Sequence, residues 1–240
     1  MRLTAFERTA VVLTAAAALA MPVRARAQQE TENFNQSVAF PAGGTLDVHN
    51  FSGLVQITGT SGSELVIKAV RRADRATLDR IKIEVRPSST GVTIEANRRP
   101  AGSTTRDGDV VDTDFEIQVP AAARLNVEVF SSELDIRGIT GQQRLKTFSG
   151  NIVLDATAAG ATPRVRAETF SGSIRARLAE SAKGDVNFES FSGRFDSDLP
   201  VALRSSGGRG RSTVSGTLSG GGGGSELDFQ TFSGSVRIVK

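Results

Sequence analysis

The chain has 240 residues, among them 25 Gly, 13 Phe and one His, and it lacks Cys, Trp and Tyr altogether. Disulfides, thiolate metal sites and cysteine nucleophiles are therefore excluded, and a Ser-His-Asp triad would have to use His49. Lys and Arg total 29 against 26 Asp and Glu, but Arg2, Arg8, Arg24 and Arg26 against Glu7 account for the whole excess. The remainder is neutral, which argues against nucleic acid as a partner.

Residues 1–8 form a short basic opening, and residues 9–20 (TAVVLTAAAALA) are apolar with no polar face. Met21-Pro22 breaks the run, and Ala25-Arg26-Ala27 precedes Gln28. That order predicts a secretory signal peptide over residues 1–27, cleaved between Ala27 and Gln28. The apolar run is too short to span a membrane, and no cysteine follows it to carry a lipid. The expectation is an exported chain, located in the periplasm, on the cell surface or outside, with no transmembrane anchor in its mature part. Residues 28–45 read as an N-terminal segment, and residues 46–240 as a single β-repeat domain.

Within that domain, residues 64–120 depart from the repeat. Residues 64–70 read as a strand and 74–80 as one or two helical turns. Residues 81–85 and 92–96 alternate in polarity around a turn at 87–91, and 98–112 read as a polar loop. A strand over 114–119 ends at Pro120. This part is expected to cap the repeats. The Gly220–224 run reads as a flexible excursion.

Phe-Ser-Gly recurs at Phe51, Phe148, Phe170, Phe191 and Phe232, with variants at Phe130-Ser131-Ser132 and Val214-Ser215-Gly216. From Phe130 the spacings are 18, 22, 21, 23 and 18 residues, a period that marks a repeat architecture. With the Phe as position zero, apolar residues stand at −5 and −3 before it and at +4 and +6 after it, as in Leu125 and Val127, then Leu134 and Ile136. This is strand alternation, and its parity changes inside the motif, so each repeat is expected to be strand, corner, strand. The expected corner residues are Phe51, Gly53, Phe130, Phe148, Gly150, Phe170, Gly172, Phe191, Gly193, Gly216, Phe232 and Gly234. The glycines are assigned the angles of a bulge, and the phenylalanines are expected to fill the corner from inside. The fold class is all-β, a β-solenoid-like stack of coils, with a two-sheet β-sandwich as the alternative.

The Thr-Phe-Ser-Gly segments starting at Thr147, Thr169 and Thr231, with Phe115 to Pro120 leading into Leu125 and Ile136, resemble the bacterial putative-adhesin, β-strand-repeat domain-of-unknown-function family of exported and envelope proteins. The resemblance covers roughly residues 46–240. It implies a solenoid-like fold and a cell-envelope setting, and it brings no catalytic residues.

Residue by residue, the chemistry is sparse. His49 has no second His or Cys as a partner. Asp107, Asp109, Asp112 and Asp114 cluster, but not at the spacing of a calcium loop. Arg71, Arg72, Arg98, Arg99, Arg204, Arg209 and Arg211 form basic spots. Arg137, Asp155, Arg175, Arg177, Asp196 and Asp198, with Asp135, should share the outer face of one sheet. That face is the expected binding face, or, in the alternative reading, the acids and bases of a β-helix polysaccharide lyase or hydrolase. No nucleophile–base pair, cofactor site or metal site can be named. The sequence therefore points to a non-enzymatic, adhesin-like binding or scaffolding module. Its expected partner is an envelope protein or polysaccharide, with self-association through an edge strand at residues 235–240.

Overall fold

The structure is a computed structural model that describes residues 29–98, 110–157, 164–208, 211–218 and 225–240. The expected cleavage site at Ala27 and Gln28 and the Gly220–224 run lie outside the described residues. Among the described residues, seventeen strands and one short helix follow in chain order. They are β1 (Glu30–Ala39), β2 (Thr45–Thr60), β3 (Glu64–Ala73), α1 (Arg75–Arg80), β4 (Lys82–Pro87), β5 (Gly91–Arg98), β6 (Asp112–Pro120) and β7 (Arg124–Arg137). Then come β8 (Gln143–Ser149), β9 (Ile152–Asp155), β10 (Val165–Ser171), β11 (Ile174–Arg177), β12 (Gly184–Ser190) and β13 (Phe195–Ser197). The last are β14 (Val201–Gly208), β15 (Arg211–Leu218), β16 (Ser225–Ser233) and β17 (Val236–Val239).

The all-β solenoid-like fold expected from the repeat is present. Each Phe-Ser-Gly segment is a corner between two strands, and equivalent strands stack in parallel. One sheet runs β4–β5–β2–β7–β8–β10–β16–β12–β15–β14. The other runs β1–β3–β6–β2–β7–β9–β11–β17–β13, with β2 and β7 long enough to turn the corner and serve both. Register is strict: Leu125 lies opposite Gln143 and Val127 opposite Leu145 in one sheet, and Leu134 opposite Ile152 in the other. Because the side-chain period is two, the parity switch at the corner keeps both strands of a coil facing inward. Leu46, Val48, Val55 and Ile57 of β2 all lie in the core, which is continuous through the stack.

The coils do not stack in chain order. The last repeat, β16 and β17, is inserted between β10 and β12 in one sheet and between β11 and β13 in the other. The spatial order of the corners is thus Phe51, Phe130, Phe148, Phe170, Phe232, Phe191. Residues 235–240 are consequently no open edge: β17 is hydrogen-bonded on both sides, and its Val236 and Ile238 are fully buried. Sequence spacing carries no information on this point, since a strand with polar and apolar faces looks the same at an edge and in the middle of a sheet.

The Val214 variant is also not a coil. β15 runs antiparallel to β12 and forms a hairpin with β14, and Gly216 faces Val201 and Ala202 within it rather than turning a corner. At the other end, β3 to β6 cap the stack in the predicted order, with boundaries that differ from the predicted ones by up to three residues: β3 runs on to Ala73, β4 takes in Pro87, and β6 begins at Asp112. The N-terminal segment joins them: β1 pairs along its whole length with β3, and Phe40 enters the core.

A buried cation ties this cap together. Arg71 is 2% exposed, bonds the Ile81 carbonyl after α1, and lies 3.0 Å from the Glu32 carboxylate on β1. Removing the partner of a buried charge costs far more than the pair contributes. Glu32→Ala is expected to lower stability by about 3 kcal/mol, read as a fall in urea midpoint at constant slope. Arg71→Met, which removes the charge as well, is expected to be clearly milder.

Candidate site: an exposed phenylalanine ladder and its groove

The motif phenylalanines do not fill the corners from inside. They stand on the outer surface, 41–57% exposed. They also form one continuous stack: Phe51–Phe130, Phe130–Phe148, Phe148–Phe170, Phe170–Phe232 and Phe232–Phe191 are 4.7–5.0 Å apart between ring centres. The four pairs beyond the first lie within 6° of parallel. The cause is the parallel, in-register stacking of coils at the usual strand spacing of about 4.8 Å, which brings identical side chains into contact. Stacked rings shield each other's faces and leave their edges to solvent.

The corner itself is filled by the residue before each Phe. Asn50, Thr147, Thr169, Ser190 and Thr231 are all buried there, beside Val129. Their polar atoms are satisfied inside. The Asn50 amide donates to the Thr113 and Ser52 carbonyls. The Thr147 hydroxyl donates to Ser132, that of Thr169 to Gly150, and that of Thr231 to Ser190.

The motif glycines also serve differently than expected. Of these, Gly53 has a positive φ, +113°. At Gly150, Gly172, Gly193 and Gly234 the constraint is close approach: a Cβ would lie 1.8–2.1 Å from a carbonyl oxygen of the neighbouring coil.

Beside the ladder runs a groove of about 720 Å³. One wall is the ring edges of Phe130, Phe148, Phe170, Phe232 and Phe191, and the floor is the row Asn50, Val129, Thr147, Thr169, Thr231 and Ser190. The opposite wall holds His49, Glu128, Lys146, Glu168, Gln230 and Glu189, which are successive partners in register. Charge signs alternate along this row where the coils follow chain order, from Glu128 through Lys146 to Glu168. The apparent clash of Glu168 with Glu189 is absent, because Gln230 of the inserted repeat lies between them. His49 Nδ1 is 4.0 Å from Glu128.

The Asp and Arg residues expected to form a binding face lie on the other sheet, along β7, β9, β11, β17 and β13, away from the groove. There Arg137, Asp155, Arg177 and Asp198 take part in ion pairs. Arg137 forks onto Asp135 at 2.8 and 2.5 Å, Arg177 is 3.5 Å from Asp155, and Arg237 is 3.4 Å from Asp198. Arg175 lies opposite Arg237 in register, and Asp196 opposite Arg237. Burial pushes the Asp155 carboxyl up, but hydrogen bonds from Thr157 and the charge of Arg177 outweigh it and hold it below its ordinary value. These ion pairs stand at the solvent-facing surface of that sheet. On β16, burial pushes Asp228 above the ordinary carboxylate value, opposed by Arg166 and assisted by Glu168 and Glu226.

Of the acidic cluster, Asp107 and Asp109 lie outside the described residues. Asp112 and Asp114 both face Arg72, at 3.7 and 2.6 Å, and Asp114 accepts the Leu54 N–H at the first corner. Burial alone would raise the Asp114 carboxyl, but the bonds from Arg72 and Leu54 and the Arg72 charge bring it below its usual value. A carboxyl lowered in the folded state stabilises above its unfolded pKa and loses that contribution as pH falls through its folded pKa. Asp114→Asn is therefore expected to be less stable than the parent at pH 7. The gap in melting temperature should narrow as pH falls below the ordinary carboxylate value of about 3.9.

A stack of parallel strand pairs with a long groove along one corner defines a β-solenoid-like fold, and among the described residues no group of three or more His, Asp or Glu is placed to hold a metal ion. Residues 35–239 match the model of the Toastrack DUF4097 family, and the chain belongs to that family. Its fold is similar to that of a putative cell adhesion protein from Clostridium sporogenes, at 13% identity and a TM-score of 0.62, covering 87% of this chain and 99% of that one. A putative adhesin from Bacteroides fragilis aligns over 87% of this chain and 97% of its own, at 10% identity and a TM-score of 0.34. Among curated proteins the chain has no match.

Proposed function

We propose that this chain is an exported, non-enzymatic, adhesin-like binding module of the cell envelope, and that the phenylalanine groove is its binding surface. The observation that carries the reading is the ladder itself. Six large apolar rings remain 41–57% exposed in one contiguous row, where burying them would remove apolar area from water. The signal-peptide pattern of residues 1–27 supports export, and the adhesin descriptions of the structural neighbours support a binding role. The ion pairing of Asp155 and Asp198 favours a solubilising role for the Asp and Arg face over acid–base chemistry.

The test is retention of envelope protein, glycan and lipid fractions on the immobilised mature chain, residues 28–240. The double variant Phe148→Ser, Phe170→Ser interrupts the ladder at exposed positions, so its fold should persist by circular dichroism. Its retention of the bound fraction is expected to fall at least tenfold. Retention that survives this change but is lost in Arg175→Ala, Arg177→Ala would move the site to the opposite sheet and overturn the proposal.

A further inference from the structure

We infer that the partner met by the ladder is a second copy of this chain, docked ladder to ladder with the two stacks running in opposite directions. This rests on the reading of the ladder and its groove as the binding surface, and it names the occupant. Five ring-to-ring steps of 4.7–5.0 Å give the ladder a length on the order of 24 Å, with a phenylalanine at every step. A row of identical side chains reads the same from either end, so two ladders match along their whole length when one is reversed. Edge meets edge, and each ladder removes from water the apolar area that the other leaves exposed.

The polar row across the groove decides the direction. In stacking order it reads His49, Glu128, Lys146, Glu168, Gln230, Glu189. Reversed onto itself, it sets Lys146 against Glu168, Glu128 against Gln230 and His49 against Glu189, each twice by the two-fold symmetry of an isologous contact. One strand further out at either end, Glu95 meets Thr213. No like charges meet in this row. Run in the same direction, two copies related by a two-fold can superpose their ladders or their polar rows but not both, and superposed rows would set each charge on its own kind. The complementarity lies in the signs: Glu168 keeps Arg166 of its own strand at 2.6 Å, and a carboxylate accepts more than one donor. The next row, one step further from the ladder, brings one like pair on reversal, Arg144 with Arg166, and there Glu168 and Asp228 lie 2.6 and 3.7 Å from Arg166. A strip of two side-chain rows falls below the roughly 800 Å² per partner of a standard interface. A single contact is therefore weak, and the hold between two surfaces comes from many copies.

The test is sedimentation velocity of the mature chain, residues 28–240, from about 5 to 500 μM, a span that covers a weak Kd. A monomer–dimer equilibrium is expected, with no larger species, because reversal closes the contact on itself. Phe148→Ser, Phe170→Ser should abolish the dimer. Lys146→Glu and Glu168→Lys should each weaken it at least tenfold, and an equimolar mixture of the two chains should recover it, since every central pair is then of opposite sign. Recovery also shows that both variants are folded. Direction is read by cross-linking, which the absence of native cysteine permits. Glu128→Cys and Gln230→Cys chains, when mixed, should be joined by a short bismaleimide, and neither should join to its own kind. A chain that stays monomeric, a dimer that ignores the ladder variant, or like-to-like joining overturns this inference. Envelope retention that still depends on the ladder then leaves the groove as the binding surface for a different partner. Retention that ignores the ladder as well overturns both readings together.

Discussion

Deletion of residues 234–240 is expected to abolish cooperative folding rather than to weaken self-association. β17 is the penultimate strand of its sheet, hydrogen-bonded to β11 on one side and β13 on the other. Its Val236 and Ile238 have no exposed surface, and truncating a single such side chain to Ala typically costs about 2–4 kcal/mol. Losing both, together with two rows of strand hydrogen bonds, exceeds the 5–15 kcal/mol stability of a typical domain at its lower end. The truncated chain should lack a sigmoidal urea transition and bind a hydrophobic dye. A transition with an unchanged midpoint and a lower oligomer mass by light scattering would restore the edge-strand view of this segment.

The second large effect is expected from Gly172→Ala. The added methyl would sit 2.0 Å from the Gly150 carbonyl oxygen, and Gly172 itself lies under the next coil, where a Cβ on Gly234 would be 1.8 Å from the Gly172 oxygen. Neither neighbour is a movable side-chain tip; both are backbone within a paired stack. Relief requires the coils to separate, which also unstacks Phe148 from Phe170. A loss of more than about 3 kcal/mol is expected, at the upper end for overpacking. Gly62→Ala is the matched control: its Cβ meets only the Thr60 hydroxyl, at 3.7 Å, and stability should be unchanged within about 0.5 kcal/mol.

Much of this architecture is legible in the sequence, because a solenoid repeats one local rule. The −5, −3, +4, +6 alternation placed Leu125, Val127, Leu134 and Ile136 in the core, and all four are there. The parity of the same alternation also carried the position of the phenylalanines. Odd offsets point inward before the corner, so position zero points outward and position −1 inward. Hydrophobicity argued the other way, and the small polar residues Thr147, Thr169 and Thr231 occupy the place it would give to Phe. The groove could have been found from that parity together with the in-register repeat. The insertion of the last repeat could not be found from spacing, since period and polarity are blind to which coil lies beside which. One trace of it was present: the like charges at Glu168 and Glu189, which the alternating row would not tolerate as neighbours. The antiparallel hairpin of β14 and β15 left no comparable trace, and the Val214 variant passed for a coil.

The displaced coil has a consequence for assembly in time. Synthesis proceeds from the N-terminus, so the coils at Phe170 and Phe191 exist before the residues that must separate them. If these two closed on each other early, Glu168 would face Glu189 directly, an unfavourable pairing between adjacent strands. The like charges thus disfavour premature closure of the place that β16 and β17 take. The last step of folding is then an intramolecular strand addition, chemically like the docking of a foreign peptide onto two sheet edges. Until it occurs, four strand edges stand exposed, and a segment supplied from another molecule could occupy the place meant for the chain's own terminus.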